Sequence, residues 1–296
     1  MVSLVLLGAG ASFGSESGTQ PRPPLGYRLF DELEQAGGVA ATLPDDIKTL
    51  FRKDFESGMA LYRERFNDDT SKFQRELALH LARFQPSDDS AYIKLIRSIP
   101  LNRAIFSSLN YDLLFEIAAR KLGINTHYGS DYNRGQVRLL KPHGSANFWP
   151  DTGTNVFINV KFAGNKVDIE APIRTLNDTE TIRRCMSETS LAPAMAMYAE
   201  GKAVKVCPQF IRNQQEQWNA VVRAARSIFI SGVRVHPVDT HIWDELGKAR
   251  GSVNYYGFPG DREPFHQWKE SSKKKNAYFF ESSFSEAIDL IRGRML

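Results

Sequence analysis

The sequence predicts an α/β protein with a Rossmann-like, doubly wound and mainly parallel sheet. Apolar runs of strand length alternate with segments of helical periodicity along the 296 residues. Several of these runs end directly in glycine or polar residues, and 42% of the chain is hydrophobic, which suffices for an ordinary core. We interpret the chain as one domain, with a helical insertion at about 44–98 and a smaller variable insertion at about 150–203.

The first predicted strand, residues 2–7, is a continuous apolar run that stops at a glycine-rich turn. This turn contains Gly8, Ala9, Gly10 and Ser12, and a helix is predicted over 27–35. Such a turn is typical of loops that approach a pyrophosphate, although a tight turn without a ligand remains the alternative.

The region that follows the turn excludes the usual dehydrogenase pattern. A dehydrogenase places an acidic residue about 20 positions further on, at the end of a second strand. Here that region is a proline-rich loop followed by the helix that carries Asp31 and Glu32. We therefore expect dinucleotide binding without hydride transfer.

The predicted helical insertion at about 44–98 carries many charges and few turn signals. Phe73, Leu77, Leu81 and Phe84 recur at helical spacing, which indicates one apolar helix face. We expect these helices to pack on the sheet domain.

A second buried strand is predicted at 104–109, and it leads through Asn110 and Asp112 into a helix over 113–121. Ligands in open α/β sheets bind beyond the carboxyl ends of the strands. These two polar residues are therefore candidate catalytic residues, and simple helix capping is an equally open interpretation.

The third predicted strand, 137–141, ends at a proline, His143 and a glycine. Histidine titrates near neutral pH and is the commonest general base. Because other strand ends also carry polar residues, we predict that His143 is functional.

The remainder of the chain returns to the alternating pattern. Predicted elements are a short strand at 204–208, a helix at 214–226, strands at 227–231, 253–256 and 277–280, and helices at 240–249 and 284–292. The exit of the strand 227–231 contains Gly232, Arg234 and Asp239, which suit a phosphate or ribose pocket. His236 and His241 lie nearby, but no cysteine or acidic pair stands at metal-ligand spacing, so we predict no metal.

Charge and cysteine content narrow the class of protein further. The net charge is only +4, and we interpret the Lys273–Lys275 run as a solvated loop, so we expect no direct nucleic-acid binding. The only two cysteines, Cys185 and Cys207, form no Cys-x-x-Cys motif and suit a reducing compartment. The amino-terminal run does not resemble a signal peptide, and no apolar stretch has the roughly 20 residues needed to span a bilayer. We expect a cytoplasmic protein without a membrane span.

Four motifs in this order resemble the sirtuin-like family. They are Gly8 to Ser12, Ser108 to Asp112, Lys141 to Ser145 and Gly232 to Asp239. The resemblance spans residues 2 to about 290, and it is to the bacterial NAD-degrading branch, often used in anti-phage defence, more than to the protein deacylases. It implies NAD as substrate, without a metal, and cleavage of the nicotinamide–ribose bond. Because an unregulated NADase would poison its own cell, we also expect control by oligomerisation or by a regulatory partner protein.

The resemblance also implies roles for particular residues. Asn110 would position the nucleophile, Asp112 would lie beside the nicotinamide ribose, and His143 would be the catalytic histidine. Residues implied to bind the cofactor are Gly8, Ala9, Gly10, Ser12, Gly232, Arg234, Asp239, Tyr256 and Gly257.

Two departures from the family pattern matter. Arg234 stands where the family has a small hydroxyl residue, and an arginine there either pairs with a phosphate or blocks part of the pocket. The segment expected to hold the zinc ribbon of deacylases contains only one cysteine, which argues against that activity. A non-hydrolytic sensor of NAD or ADP-ribose, and a deacylase or ADP-ribosyltransferase, remain the alternative functions.

Overall fold

The computed structural model describes residues 2–66, 70–131, 133, 135–153, 159–163, 166–196, 205–236 and 239–295. Its centre is a seven-stranded sheet in the order β11-β10-β9-β1-β2-β4-β3, and every pairing in it is parallel. The seven strands are β1 (Ser3–Leu7), β2 (Ala104–Ser108), β3 (Asn125–His127), β4 (Gln136–Leu140), β9 (Ser227–Ser231), β10 (Ser252–Gly257) and β11 (Ala277–Glu281). The predicted Rossmann-like α/β class is confirmed.

Helices cover both faces of this sheet. The thirteen helices within the described residues are α1 (Ala9–Phe13), α2 (Gly26–Gln35), α3 (Gly38–Thr42), α4 (Asp45–Lys53), α5 (Phe55–Arg65), α6 (Ser71–Ala82), α7 (Ala91–Ser98), α8 (Leu114–Lys121), α9 (Asp178–Ser187), α10 (Pro208–Ala224), α11 (Thr240–Lys248), α12 (Pro259–Ser271) and α13 (Phe284–Met295). A 3₁₀ turn, Leu101–Arg103, precedes β2.

The sheet is the middle layer of three, with a layer of helices on each face, and the side chains of β1 point alternately to the two helical layers. Val5 and Leu7 face α7, α8 and α13, whereas Leu4 and Leu6 face α10, α11 and α12. Successive side chains of a strand point to opposite faces, so a strand that is covered on both sides is mainly apolar on both. All four of these side chains are fully buried.

A second apolar cluster, which we call the cap, is built by α2 to α6. Phe30, Phe51 and Phe73 stack within it, with ring centroids 4.6 Å apart for the first two and 5.5 Å for the last two. The cap also includes Tyr111 and Ala146, which follow β2 and β4. The cap therefore lies over the carboxyl ends of these strands, and it begins at α2 rather than near residue 44. The predicted insertion also ends earlier, because α7 packs on the sheet with α8 and α13.

The smaller insertion carries two short antiparallel pairs. β5 (Phe148–Pro150) pairs with β8 (Ile173–Thr175), and β6 (Asn159–Ala163) pairs with β7 (Lys166–Glu170). The alternation of residue types over 155–169 predicts a small antiparallel pair, and β6 and β7 form one in the described part of this range.

The glycine-rich turn after β1 leads directly into a short helix, α1, which the sequence pattern did not indicate. One local prediction was wrong. No strand forms in the described part of 204–208, because Pro208 begins α10, where proline fits a first-turn position that has no amide to satisfy. Val206 makes only an isolated bridge to Ile169, and Val204 lies outside the described residues.

Candidate functional site at the strand exits

The crevice of interest lies between β1 and β9. From β1 the chain builds outward through β2 and β4 on one side, and later through β9, β10 and β11 on the other side. This reversal is a topological switch point, the place where open α/β sheets bind ligands. The segments after β1, β2, β4 and β9, here called the four strand exits, meet at this edge.

The β1 and β2 exits are joined by a buried polar network. Asn110 donates from Nδ2 to the carbonyl oxygen of Gly8 at 2.9 Å and to Ser12 Oγ at 2.8 Å. Ser12 Oγ also lies 2.8 Å from Asp112 Oδ2 and 2.8 Å from the Tyr92 hydroxyl. Asn110 is only 8% exposed, and its Oδ1 takes part in neither of its two side-chain bonds, so this oxygen is the acceptor it can offer to a water or a ribose.

Asp112 is held by the protein itself. Its Oδ1 accepts a hydrogen bond from the Leu114 amide at 3.1 Å, and its Oδ2 accepts one from Ser12. Burial raises the pKa of this carboxyl group, and the nearby Lys141 ammonium partly opposes the rise. Asp112 therefore stands one position before the N-cap of α8, Leu113, and its side chain holds the first amide of the helix together with Ser12.

The β2 and β4 exits are joined through Lys141. Its Nζ donates to the Asp112 carbonyl oxygen at 2.7 Å and pairs with Glu116 Oε1 at 2.9 Å. The Ala146 amide also donates to the carbonyl oxygen of Tyr111 at 3.0 Å. Lys141 is fully buried, so these two oxygen partners replace the water that its side chain loses on folding.

The β4 and β9 exits meet through two histidines. His143 Nε2 lies 2.8 Å from His241 Nε2, and one ligand atom each of His143, Asp239 and His241 lies within 4.8 Å of the others. His143 is 2% exposed. The sequence did not reveal this cluster, because the two histidines are 98 positions apart and only the fold brings them together.

Backbone contacts join the β9 exit to the β1 exit. They complete a closed ring of contacts among the four strand exits, here called the circuit of strand exits. The Gly10 amide donates to the carbonyl oxygen of Gly232 at 2.9 Å, and the Gly8 amide donates to that of Ser231 at 3.0 Å. A Cβ on Gly8 would lie 2.3 Å from the Gly232 oxygen. These glycines thus pack against each other, so their small size serves the protein's own backbone, and two amides expected to face a pyrophosphate are already engaged.

The remaining predicted binding residues lie either on the surface near the circuit of strand exits or in the core of the sheet. Ala9 begins α1 and is exposed, as is Arg234. Tyr256 is buried in the core beside Val5 and Phe229, and burial raises its pKa to about 12. A Cβ on Gly257 would lie 2.6 Å from the Tyr255 ring. Tyr256 thus belongs to the apolar core rather than to the circuit of strand exits.

The cap faces the β9 exit with an acidic group. Asp54 caps α5, and its pKa is lowered: burial acts to raise it, but hydrogen bonds from Ser57 and the charges of His236 and Arg234 outweigh that effect. Arg234 therefore interacts with the cap across the crevice. Pro237 and Val238, which belong to the same sequence motif, lie outside the described residues.

Two surface cavities lie away from the strand exits. One, of about 450 Å³, is lined by Arg223, Lys248 and Arg250 among others, and the second, of about 280 Å³, lies beside α10 and β7–β8. Arg223 and Lys248 both pair with Glu245, whose negative charge offsets one of the three positive charges that line the first cavity. We assign neither cavity a role.

No protein-family model matches the chain, and no curated protein matches it. Among the described residues, the helices include none that is long and apolar enough to cross a bilayer.

Proposed function

We propose that this protein is an NAD⁺ hydrolase that cleaves the nicotinamide–ribose bond, as its resemblance to the sirtuin-like family implies. The observation that carries the proposal is the circuit of strand exits, which brings Asn110 and His143 to the edge of the sheet at the switch point. The two residues arrive from different strands, and the Lys141 contacts hold their loops together.

The proposed reaction needs few protein groups. The bond between C1′ and the nicotinamide nitrogen breaks, its electron pair leaves with neutral nicotinamide, and C1′ becomes oxocarbenium-like, as in glycoside hydrolysis. A water oxygen then bonds to C1′, which gives ADP-ribose, and one proton is released. In our proposal Asn110 Oδ1 orients the water, and His143, paired with His241, accepts the proton.

The test is nicotinamide release from NAD⁺ by the purified protein in the presence of a chelator. We expect His143→Ala to lower the rate about 10²–10⁴-fold, as is typical for loss of a general base, and Asn110→Ala to lower it as well. His266→Ala is the matched control, since His266 is an exposed histidine of α12 and should leave the rate unchanged. Equal rates for wild type and His143→Ala would refute the role of His143.

Two other outcomes separate the alternatives. Tight NAD⁺ or ADP-ribose binding without nicotinamide release, under every condition tried, would favour the sensor module. Removal of an acyl group from a lysine peptide would favour the deacylase.

Regulation is part of the same proposal. An unrestrained NAD⁺ hydrolase would deplete the NAD⁺ of its own cell, so we propose control by oligomerisation or by a partner protein, in a cytoplasmic anti-phage role. Size-exclusion chromatography with the activity assay tests this. A monomer that is fully active without any partner would contradict it.

A further inference from the structure

We propose that His143, Asp239 and His241 form a binding site for one divalent transition-metal ion, of which Zn²⁺ is the representative. Three potential ligand atoms, one from each residue, lie within 4.8 Å of one another, and they come from the β4 exit and from the start of α11. This inference departs from the metal-free site that the sequence spacing predicts.

The donor set selects the class of ion. Two imidazole nitrogens and one carboxylate oxygen suit Zn²⁺ and the neighbouring first-row metals. Ca²⁺ and Mg²⁺ prefer sites made of oxygen ligands and should bind poorly here.

The distance between the two histidines fits coordination with little movement. Imidazole nitrogens lie about 2.0–2.1 Å from Zn²⁺. With both Nε2 atoms at that distance, their separation of 2.8 Å subtends about 86° at the metal, close to the right angle between adjacent octahedral ligands. Opening the pair to about 3.3 Å gives the tetrahedral angle.

Local structure holds the ligands in place before any ion arrives. The backbone of His143 is fixed because its carbonyl oxygen accepts a hydrogen bond from the Ala196 amide at 2.8 Å, and Gly144, at φ +84°, turns the chain directly after it. The Asp239 carbonyl oxygen accepts hydrogen bonds from the Ile242 and Trp243 amides at 2.9 and 3.0 Å, which anchors the first turn of α11. Ligands on such defined backbone lose little freedom on binding.

Exposure gives the site one open side. His143 is buried, whereas Asp239 and His241 are partly exposed. An ion bound by three protein ligands can therefore keep water in its remaining positions.

Metal binding has a consequence that rests on the proposed function. An ion bound to His143 and His241 would replace the hydrogen bond between their Nε2 atoms and place a positive charge against the His143 ring, which disfavours proton uptake by that ring, so bound metal should inhibit nicotinamide release. Occupancy by metal would then be a means of holding the enzyme inactive.

The binding test does not depend on activity. The protein, freed of metal by a chelator that is then removed, is titrated with Co²⁺ and followed by its visible d–d absorption, and with Zn²⁺ by calorimetry. We expect one equivalent to bind, and we expect His241→Ala and Asp239→Asn to weaken binding at least tenfold, since even outer-shell partners alter affinity by about 10–100-fold.

His236→Ala is the matched control, because His236 lies three positions before Asp239 but outside the cluster, and it should bind as the wild type does. Circular dichroism verifies that each variant is folded. If His241→Ala does not fold, the affinity of Asp239→Asn decides the test. If the protein binds neither Co²⁺ nor Zn²⁺, or if the wild type and both ligand variants bind with equal affinity, the proposed metal site is refuted. The contact between His143 and His241 would then be a hydrogen bond and not part of a metal site.

The effect of bound metal on activity is tested in a separate measurement of nicotinamide release. Zn²⁺ should slow nicotinamide release, and a chelator should restore it. One-equivalent binding in a protein that never hydrolyses NAD⁺ leaves the metal site standing and refutes the proposed function. Binding that leaves hydrolysis unchanged, or accelerates it, overturns the inhibitory role.

Discussion

Substitution of Gly232 by alanine tests whether backbone packing holds the β1 and β9 exits together. Gly232 has φ +69°, and a Cβ there would lie 2.0 Å from the Ala11 nitrogen and 2.6 Å from the Gly10 carbonyl carbon. The left-handed conformation alone costs an alanine about 1–2 kcal/mol. The clash is with backbone rather than with a flexible side chain, and overpacking of this kind adds about 1–3 kcal/mol. We expect Gly232→Ala to lower the free energy of unfolding by about 2–5 kcal/mol in total.

Gly123→Ala separates these two contributions. Gly123 follows α8 at φ +71°, almost the same conformation, but a Cβ there would meet nothing within 4 Å. Urea unfolding of both variants, followed by tryptophan fluorescence, should place Gly232→Ala about 1–3 kcal/mol below Gly123→Ala. Equal losses in the two variants would refute the reasoning, because strain from the φ angle would then explain everything.

Three further predictions concern the buried polar groups. Lys141→Met should cost about 3–5 kcal/mol in urea unfolding, because the largely buried Glu116 carboxylate loses its charged partner and keeps only the Tyr128 hydroxyl, and adding Glu116→Gln should recover part of the loss. The pKa of Asp112 is raised in the folded state, so its stabilising contribution is present below pH 3.8 and is lost as pH rises through the folded pKa. From pH 4 upward the free energy of unfolding of the wild type should therefore fall relative to that of Asp112→Asn, which has no carboxyl group to titrate at this position. A difference between the two proteins that does not change with pH would contradict this. Burial raises the pKa values of Cys185 and Cys207 to about 12 and 11, so native protein at pH 8 should react with iodoacetamide far more slowly than urea-unfolded protein.

The central sheet was predictable because buried parallel strands have a direct signature. Strands covered on both faces are mainly apolar, and the runs that became β1, β2 and β9 are short and mainly apolar, with serine at one or both ends. The helix α12 was missed, since it contains Pro264, which is ordinarily a sign of a break. A readable signal for α9 was overlooked: Asn177 and Glu180 form a capping box at its start.

The site was less predictable, because its parts are defined by contacts between distant segments. The sequence pointed to Asn110 and His143 as residues at strand ends, and the fold does bring their loops together. The sequence could not show that His241 contacts His143. Nor could it show that Gly8 and Gly232 must both lack a side chain because their backbones pack against each other. Glycines at a predicted loop look the same whether the close neighbour is a phosphate or the protein's own backbone.

The closed circuit of exits bears on how a dinucleotide could enter. Ser12, Asn110 and Asp112 satisfy one another through bonds of 2.8 Å, and the Gly8 and Gly10 amides are bonded to the β9 exit. A ligand that uses these same groups must first open the circuit, and each exchanged hydrogen bond returns little net free energy. If the open state is a fraction f of the population, the apparent dissociation constant rises by 1/f. A partner or an oligomer contact that separates the β1 exit from the β9 exit would raise f, and with it the affinity for NAD⁺, without touching NAD⁺ itself. Regulation of the proposed hydrolase and closure of its site would then share one cause.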